Sequence, residues 1–92
     1  MQLENRVAIV TGGGGAIGRA ICLKLAGEGA KIAVFDISRE SAGKVAEEIK
    51  QKGGEALPFV LDIRIYSEVE KAVAEVKGKL GNVNILVNCA GG

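Results

Sequence analysis

Apolar residues follow two alternating patterns along this chain. Short, nearly continuous apolar runs predict strands, and longer segments with apolar residues three or four positions apart predict helices. The predicted strands are 7–11, 31–36, 56–62 and 84–88. The predicted helices are 16–28, a second that Ser38 caps and Gly53-Gly54 stops, and a third that Ser67 opens and Gly81 ends.

Each predicted helix has one apolar face. In the first helix that face consists of Ile17, Ala20, Ile21, Cys22, Leu25 and Ala26. In the second it consists of Ala42, Val45, Ala46 and Ile49, and in the third of Val69, Ala72, Val73, Val76 and Leu80. The segment Ser67-Glu68-Val69-Glu70 predicts a capping box at the start of the third helix.

Strict alternation of strands and helices predicts an α/β fold with a parallel sheet covered on both faces. Right-handed crossovers give the strand order 3-2-1-4, with the first two helices on one face and the third on the other. This is about half of a Rossmann-type fold. We expect residues 1–92 to form one dinucleotide-binding domain.

Composition and charge exclude several classes of protein. The chain has 92 residues, of which 48% are hydrophobic and 25% charged, as is usual for a globular protein. A net charge of +1, spread along the sequence, predicts neither a nucleic-acid nor a membrane partner. The polar N-terminus is no signal peptide, so a cytoplasmic protein is expected.

The cysteine and histidine counts exclude further kinds of site. Two cysteines and no histidine argue against a disulfide framework, a cysteine/histidine metal site and a Ser-His-Asp hydrolase, so we expect no metal. Cys22 is expected to be a small buried residue on the first helix, and inert packing is expected for Cys89.

Four consecutive glycines, Gly12 to Gly15, separate the first strand from the first helix. A backbone without Cβ atoms, next to the free N–H groups of a helix start, is suited to binding a phosphate. A mononucleotide P-loop starting at Gly13 has the right spacing but lacks the Lys and the Ser or Thr, because Arg19 and Ala20 stand there. The alternative is that these glycines form only a tight turn and bind no ligand.

Two dinucleotide patterns fit this turn. Gly-x-Gly-x-x-Gly is met by Gly13, Gly15 and Gly18. The variant Thr-Gly-x-x-x-Gly/Ala-x-Gly is met by Thr11, Gly12, Ala16 and Gly18. It resembles the cofactor loop of the short-chain dehydrogenase/reductase family, although Ala16 stands where that family often has Gly.

Asp36 lies 18 residues after Gly18, at the carboxyl end of the second predicted strand. The dinucleotide fold places there the acid that accepts hydrogen bonds from the adenosine ribose. A carboxylate at this position favours NAD over NADP, because it repels the extra 2′-phosphate. Arg39, three residues further on, partly offsets that repulsion. The alternative is that Asp36 is a solvated acid at the end of a strand and binds no ligand.

Two further strand ends resemble the same family. Residues at the place of Asp62 and Ile63 bind the adenine ring there, the acid through its side chain and the next residue through its N–H group. Asn88-Cys89-Ala90-Gly91 resembles the family's Asn-Asn-Ala-Gly motif, with Cys89 in place of the second Asn. In that motif the Asn steadies the sheet and the small residues let the cofactor ribose pass close to the backbone.

The resemblance covers nearly all of the chain and implies the NAD(H)-binding portion of a short-chain alcohol or ketone oxidoreductase. The expected cofactor-binding residues are Thr11, Gly12, Gly13, Gly14, Gly15, Ala16, Ile17, Gly18, Asp36, Ile37, Asp62, Ile63, Asn88, Ala90 and Gly91. The family's catalytic Ser and Tyr-x-x-x-Lys lie beyond the last of these motifs. The only tyrosine, Tyr66, has Glu70 four positions later, so we expect cofactor binding without turnover and no catalytic residue.

Two alternatives to this function stay open. The chain could be a folded Rossmann fragment that self-associates through Ile85-Leu86-Val87, because the fourth strand is expected to leave an open apolar edge. A two-fold dimer would then continue the sheet. The other alternative is a methyltransferase that binds S-adenosylmethionine, a ligand without a pyrophosphate.

Overall fold

The computed structural model describes residues 2–89, which fold as one sheet with helices on both faces. The elements are β1 (Val7–Thr11), α1 (Ala16–Gly27), β2 (Lys31–Asp36), α2 (Arg39–Gln51), β3 (Ala56–Val60), α3 (Tyr66–Lys79) and β4 (Ile85–Asn88). All neighbouring strands are parallel, in the order β3-β2-β1-β4. The predicted α/β class and strand order are confirmed.

The two faces of the sheet carry different helices, as predicted. Helices α1 and α2 pack on one face, where Cys22 and Val45 contribute to the core, and α3 packs on the other through Ala72 and Val76. Strands β1 and β2 are buried along almost their whole length. The edge strands β3 and β4 are less buried, and Leu86 in β4 is 68% exposed. The predicted coverage of both faces therefore holds only for the two central strands.

The predicted apolar face of α1 is wrong at its first turn. Ile17 is 74% exposed and Ala20, also predicted for this face, is exposed too, while Gly18 and Cys22 are the buried residues of this helix. The reason is close packing of backbone on backbone, since a Cβ at Gly18 would overlap the carbonyl oxygen of Gly12. This contact turns the Gly18 side of α1 toward the sheet and Ile17 away from it.

The two predicted helix caps have different outcomes. Ser38 is the N-cap of α2 and accepts a hydrogen bond from the Ser41 N–H at 3.2 Å, as predicted. The capping box at Ser67 is wrong, because α3 begins at Tyr66 and no side chain in the described part of the molecule caps it. The Glu68 carboxylate instead accepts a hydrogen bond from the backbone N–H of Asp62 at 3.0 Å.

Strand β3 ends two residues earlier than predicted. Its last pair joins Val60 to Asp36, and a turn follows in which the Ile65 N–H donates to the Asp62 carbonyl at 3.0 Å. Asp62 therefore lies in the turn and not in the strand. Pro58 lies in this edge strand, where a missing N–H is tolerated.

Candidate functional site

The carboxyl ends of the parallel strands meet at one edge of the sheet, where open α/β sheets bind their ligands. A cleft of about 300 Å³ lies there. It is lined by Gly12, Phe35, Asp36, Ile37, Leu61, Asp62, Ile63 and Arg64. The structure thus brings together five of the residues predicted from three separate strand ends, and it adds Arg64, Phe35 and Leu61.

The turn after β1 is shaped by backbone that a side chain would obstruct. Gly12 has φ of 66°, in the left-handed region that favours glycine. A Cβ at Gly13 would lie 2.8 Å from Val34 Cγ1, and one at Gly14 would lie 2.5 Å from Ser41 Cβ. These glycines let the turn fit tightly between β2, α1 and α2.

Gly15 differs from the other glycines of this turn. It is exposed, and a Cβ there would meet only the Gly12 carbonyl oxygen at 3.5 Å, which is ordinary contact. Gly12 has the positive φ, and Gly18 has the closest packing. Both belong to the pattern that also contains Thr11 and Ala16. The geometry therefore favours that pattern over Gly-x-Gly-x-x-Gly, which requires Gly15.

The N-terminus of α1 presents free donors above this turn. Gly15 is the N-cap, and among residues 2–89 no side chain caps the helix or places an acid in its first turn. The first bond back to the cap is from the Arg19 N–H to the Gly15 carbonyl, at 2.7 Å. The N–H groups of Ala16, Ile17 and Gly18 precede that bond, so they have no partner within the helix and are suited to an anion.

Asp36 connects the glycine turn to the start of α2. Its Oδ2 accepts a hydrogen bond from the Gly14 N–H at 2.9 Å, and its Oδ1 accepts one from the Ser38 N–H at 2.9 Å. A carboxylate has about four acceptor sites, so each oxygen retains capacity for a further donor. The side chain is partly exposed and borders the cleft.

Asp62 lies opposite, paired with an arginine that sequence reasoning missed. Arg64 donates from its backbone N–H and from Nε to Asp62 Oδ1, at 2.9 and 3.0 Å, and from Nη2 to Oδ2 at 2.8 Å. The hydrogen bonds from the Arg64 side chain and backbone lower the pKa of Asp62 to about 2. The only sequence signal for this pair was a cation two residues after the acid.

Thr11 and Asn88 join the ends of β1 and β4. The Thr11 hydroxyl, 8% exposed, donates to Asn88 Oδ1 at 2.7 Å, and the Cys89 N–H donates to the Thr11 carbonyl at 3.1 Å. The predicted residues Ala90 and Gly91 lie outside the described residues. Cys22 is buried as predicted, and burial, with a smaller contribution from Cys89, raises the pKa of its thiol to about 12.

Residues 2–89 contain neither a clustered metal site nor a membrane-spanning helix. No group of three or more His, Cys, Asp or Glu side chains is placed to hold a metal ion there. In that same part of the chain, every helix is too short or too polar to cross a lipid bilayer.

A parallel sheet in this order, with a glycine turn leading into an uncapped helix, is the arrangement of a Rossmann-type fold. Comparison with known proteins narrows this class. The family model described as short chain dehydrogenase matches residues 6–92. The chain therefore belongs to the short-chain dehydrogenase/reductase family and corresponds to its N-terminal part.

Individual relatives agree with this assignment. The 7alpha-hydroxysteroid dehydrogenase of Escherichia coli K12 is 40% identical over 92 residues, which are 100% of this chain and 36% of that protein. The 2,3-dihydro-2,3-dihydroxybenzoate dehydrogenase of Bacillus subtilis is 35% identical over 89 residues, 97% of this chain and 34% of that protein. The chain thus spans about a third of the length of these relatives.

Solved structures show the same similarity. A 7 alpha-hydroxysteroid dehydrogenase complexed with NADH and 7-oxo glycochenodeoxycholic acid superposes with a TM-score of 0.95 at 41% identity, over 99% of this chain and 36% of that one. An NAD+-bound xylitol dehydrogenase gives a TM-score of 0.90 at 36% identity, over 94% and 33% of the two chains.

Proposed function

We propose that this chain binds NAD(H) at the carboxyl edge of its sheet, as the cofactor-binding domain of an alcohol or ketone oxidoreductase, with residues 1–92 as that domain. One observation carries the proposal. The uncapped N-terminus of α1 stands above a turn that excludes side chains, and Asp36 lies at the end of the neighbouring strand. An anion and a polyhydroxyl group are the ligands that these two features fit.

The remaining site residues extend this assignment along a dinucleotide. The N–H groups of Ala16, Ile17 and Gly18 would hold the pyrophosphate, and Asp36 would accept from the adenosine ribose. The turn at Asp62 and Ile63 would hold the adenine, since the Ile63 N–H has no acceptor among the described residues. The nicotinamide half of the dinucleotide would lie beside Thr11, Asn88, Ala90 and Gly91. When bound, NAD(H) supplies or accepts the hydride.

Charge favours NAD over NADP in this proposal. The Asp36 carboxylate is held by two backbone N–H groups, so it cannot easily turn away from a 2′-phosphate. Arg39 is exposed and close in sequence, and it reduces the repulsion without removing it. Two of the similar solved structures contain bound NADH or NAD+, which supports the same preference.

Catalysis is not expected from residues 1–92. No Tyr-x-x-x-Lys occurs in this sequence, and Tyr66 lies at the start of α3 with 75% of its surface exposed. Residues 1–92 therefore do not by themselves assign the substrate or the reaction of the family to this chain. Binding of the cofactor is the function that its own residues support.

Isothermal titration calorimetry tests the proposal. The chain is titrated separately with NAD, NADP and S-adenosylmethionine. We expect NAD to bind more tightly than NADP and S-adenosylmethionine not to bind, because S-adenosylmethionine has no pyrophosphate for the N-terminus of α1. The variant Asp36→Asn is expected to narrow the gap between NAD and NADP, while Glu47→Gln, an exposed acid on α2, leaves it unchanged. A folded chain without affinity for NAD would contradict the proposal.

Self-association through β4 is a second candidate, favoured by its terminal place in the sheet. Within residues 2–89 β4 pairs only with β1, so one side of its backbone is open. Leu86 on its face is 68% exposed, and residues 80–92 contain no charged side chain that would prevent strand pairing. The opposite edge strand carries Pro58. We propose that two copies pair through β4 about a two-fold axis.

Light scattering at rising concentration measures this association. Leu86→Lys places a charge on the β4 edge and is expected to give a monomer. Val60→Lys places the same charge on β3, where Val60 is 41% exposed, and is expected to leave the mass unchanged. A monomeric wild-type chain at high concentration would exclude the dimer.

A further inference from the structure

Arg64 is the one basic side chain that lines the adenine end of the cleft. It makes no other polar contact in the described part of the molecule than its hydrogen bonds to Asp62. The arginine side chain is 82% exposed, while that of Asp62 is only 21% exposed. A pair this unevenly exposed fixes the acid at the cleft wall and leaves the cation at the rim.

The rest of the turn already holds the backbone of Asp62. Its carbonyl accepts from the Ile65 N–H at 3.0 Å, and its N–H donates to the Glu68 carboxylate at 3.0 Å. These bonds fix the main chain without involving the Asp62 side chain. Rotation of the carboxylate is therefore limited by Arg64. Its backbone N–H donates to Oδ1 at 2.9 Å, and its Nε and Nη2 engage the two oxygens at 3.0 and 2.8 Å, so two of the three restraining bonds come from the side chain.

A fixed and ionised carboxylate can only accept hydrogen bonds. Adenine presents an amino group on its six-membered ring, which is a donor, whereas hypoxanthine presents a carbonyl oxygen there, which is an acceptor. When the Asp62 carboxylate faces the carbonyl oxygen of hypoxanthine, both groups are acceptors and neither is paired. A site that accepts from the amino group of adenine therefore discriminates against hypoxanthine.

We infer that Arg64 is a positioning residue that makes this cleft select adenine dinucleotides over hypoxanthine dinucleotides, by holding Asp62 as an acceptor. The inference rests on the proposed function, because it concerns the base of the same dinucleotide. The pairing also holds the pKa of Asp62 below its usual range, so the carboxylate is an acceptor only at neutral pH, where the titrations are made.

Calorimetric titrations with NAD and with nicotinamide hypoxanthine dinucleotide test this role through the ratio of their two affinities. We expect the wild-type chain to prefer NAD by about tenfold, the value of one charge-assisted hydrogen bond. In Arg64→Gln the ratio falls to about threefold or less, because the carboxylate then keeps only the bond from the backbone N–H of residue 64 and can rotate away from the carbonyl. Arg64→Lys keeps the positive charge but lacks the planar fork that engages both oxygens, and it is expected to give an intermediate ratio.

Two further variants complete the design. Lys24→Gln removes an exposed cation paired with Glu28 at the far end of α1, and it is expected to leave the ratio at the wild-type value. Asp62→Asn places an amide at the cleft wall, which can donate to a carbonyl, and is expected to favour the hypoxanthine dinucleotide. Circular dichroism of each variant confirms that it is folded.

The outcomes separate this inference from the proposed function. Wild-type chain that binds neither dinucleotide contradicts both. Wild-type chain that prefers NAD, with the same ratio in Arg64→Gln or with both affinities lowered equally, leaves the proposed function standing and overturns the role of Arg64. An Asp62→Asn variant that keeps the preference for NAD likewise overturns it.

Discussion

The glycine turn after β1 and the Asp62 turn after β3 border one cleft but are built in opposite ways. The first is shaped by backbone, and side chains at Gly13, Gly14 or Gly18 would collide with their neighbours. The second is shaped by side chains, through the Asp62 and Arg64 pair at the surface. The backbone of the glycine turn packs tightly against its neighbours, whereas the Asp62 turn packs on the core only through Ile63 and carries its ion pair at the surface.

This difference predicts two kinds of response to substitution. A change in the glycine turn alters folding and cofactor binding together, because the same backbone contacts serve both. A change in the Asp62 turn alters recognition of the ligand with little effect on the fold, since exposed ion pairs contribute little to stability. The expected effects on stability therefore decrease from the first turn to the second.

Gly18→Ala is expected to have the largest effect. Its Cβ would overlap the Gly12 carbonyl oxygen, and neither backbone segment can move without displacing the start of α1. We expect a loss of about 3 kcal/mol in the free energy of unfolding, measured by urea denaturation. Gly15→Ala, three residues earlier and with room for a Cβ at 3.5 Å, is the matched control and should cost about 1 kcal/mol or less. Equal losses in both variants would refute this account of the turn.

Thr11→Val tests the base of the same turn. The variant keeps the shape of the side chain but removes the hydroxyl that donates to Asn88 Oδ1 at 2.7 Å. We expect a loss of about 1 kcal/mol in the free energy of unfolding. Thr11→Ser keeps the donor and should retain most of that amount. If the serine variant is the less stable of the two, the methyl contact matters more than the hydrogen bond.

Acid unfolding probes the second turn and has the smallest expected effect. Arg64 lowers the pKa of Asp62 from 3.8 to about 2 in the folded chain. The carboxylate therefore stabilises the fold fully above pH 3.8, and this contribution is lost as the pH falls through about 2. Arg64→Gln should weaken the pH dependence of the unfolding free energy within that window. An unchanged pH dependence would show that the pair contributes nothing.

Most of the architecture could be predicted from the sequence, because it follows from patterns repeated over many residues. The apolar runs and helical spacings gave the strand order and the faces of the helices. Single positions were harder. Ile17 fits the apolar spacing of α1, yet a contact between Gly18 and Gly12 that no spacing reveals turns it to solvent.

The candidate site was predictable where chemistry is encoded by residue type at a strand end. Gly12, Asp36 and Asp62 are such positions, and the structure brings them to one cleft. The pairing of Arg64 with Asp62 was not predictable, because a charged residue in a loop more often meets only water. The cap at Ser67 failed because α3 begins one residue earlier, at Tyr66 with Ile65 as N-cap, so Ser67 lies inside the first turn.

The central claim is that the N–H groups at the start of α1 hold the pyrophosphate of NAD. Two-dimensional ¹H–¹⁵N NMR of the chain during titration with NAD tests it most directly. We predict that the largest shift changes fall on the amides of Ala16, Ile17 and Gly18, with smaller changes at Asp36 and Ile63. NAD that binds while these three amides stay unchanged, or that shifts only signals near Leu86, would contradict the account.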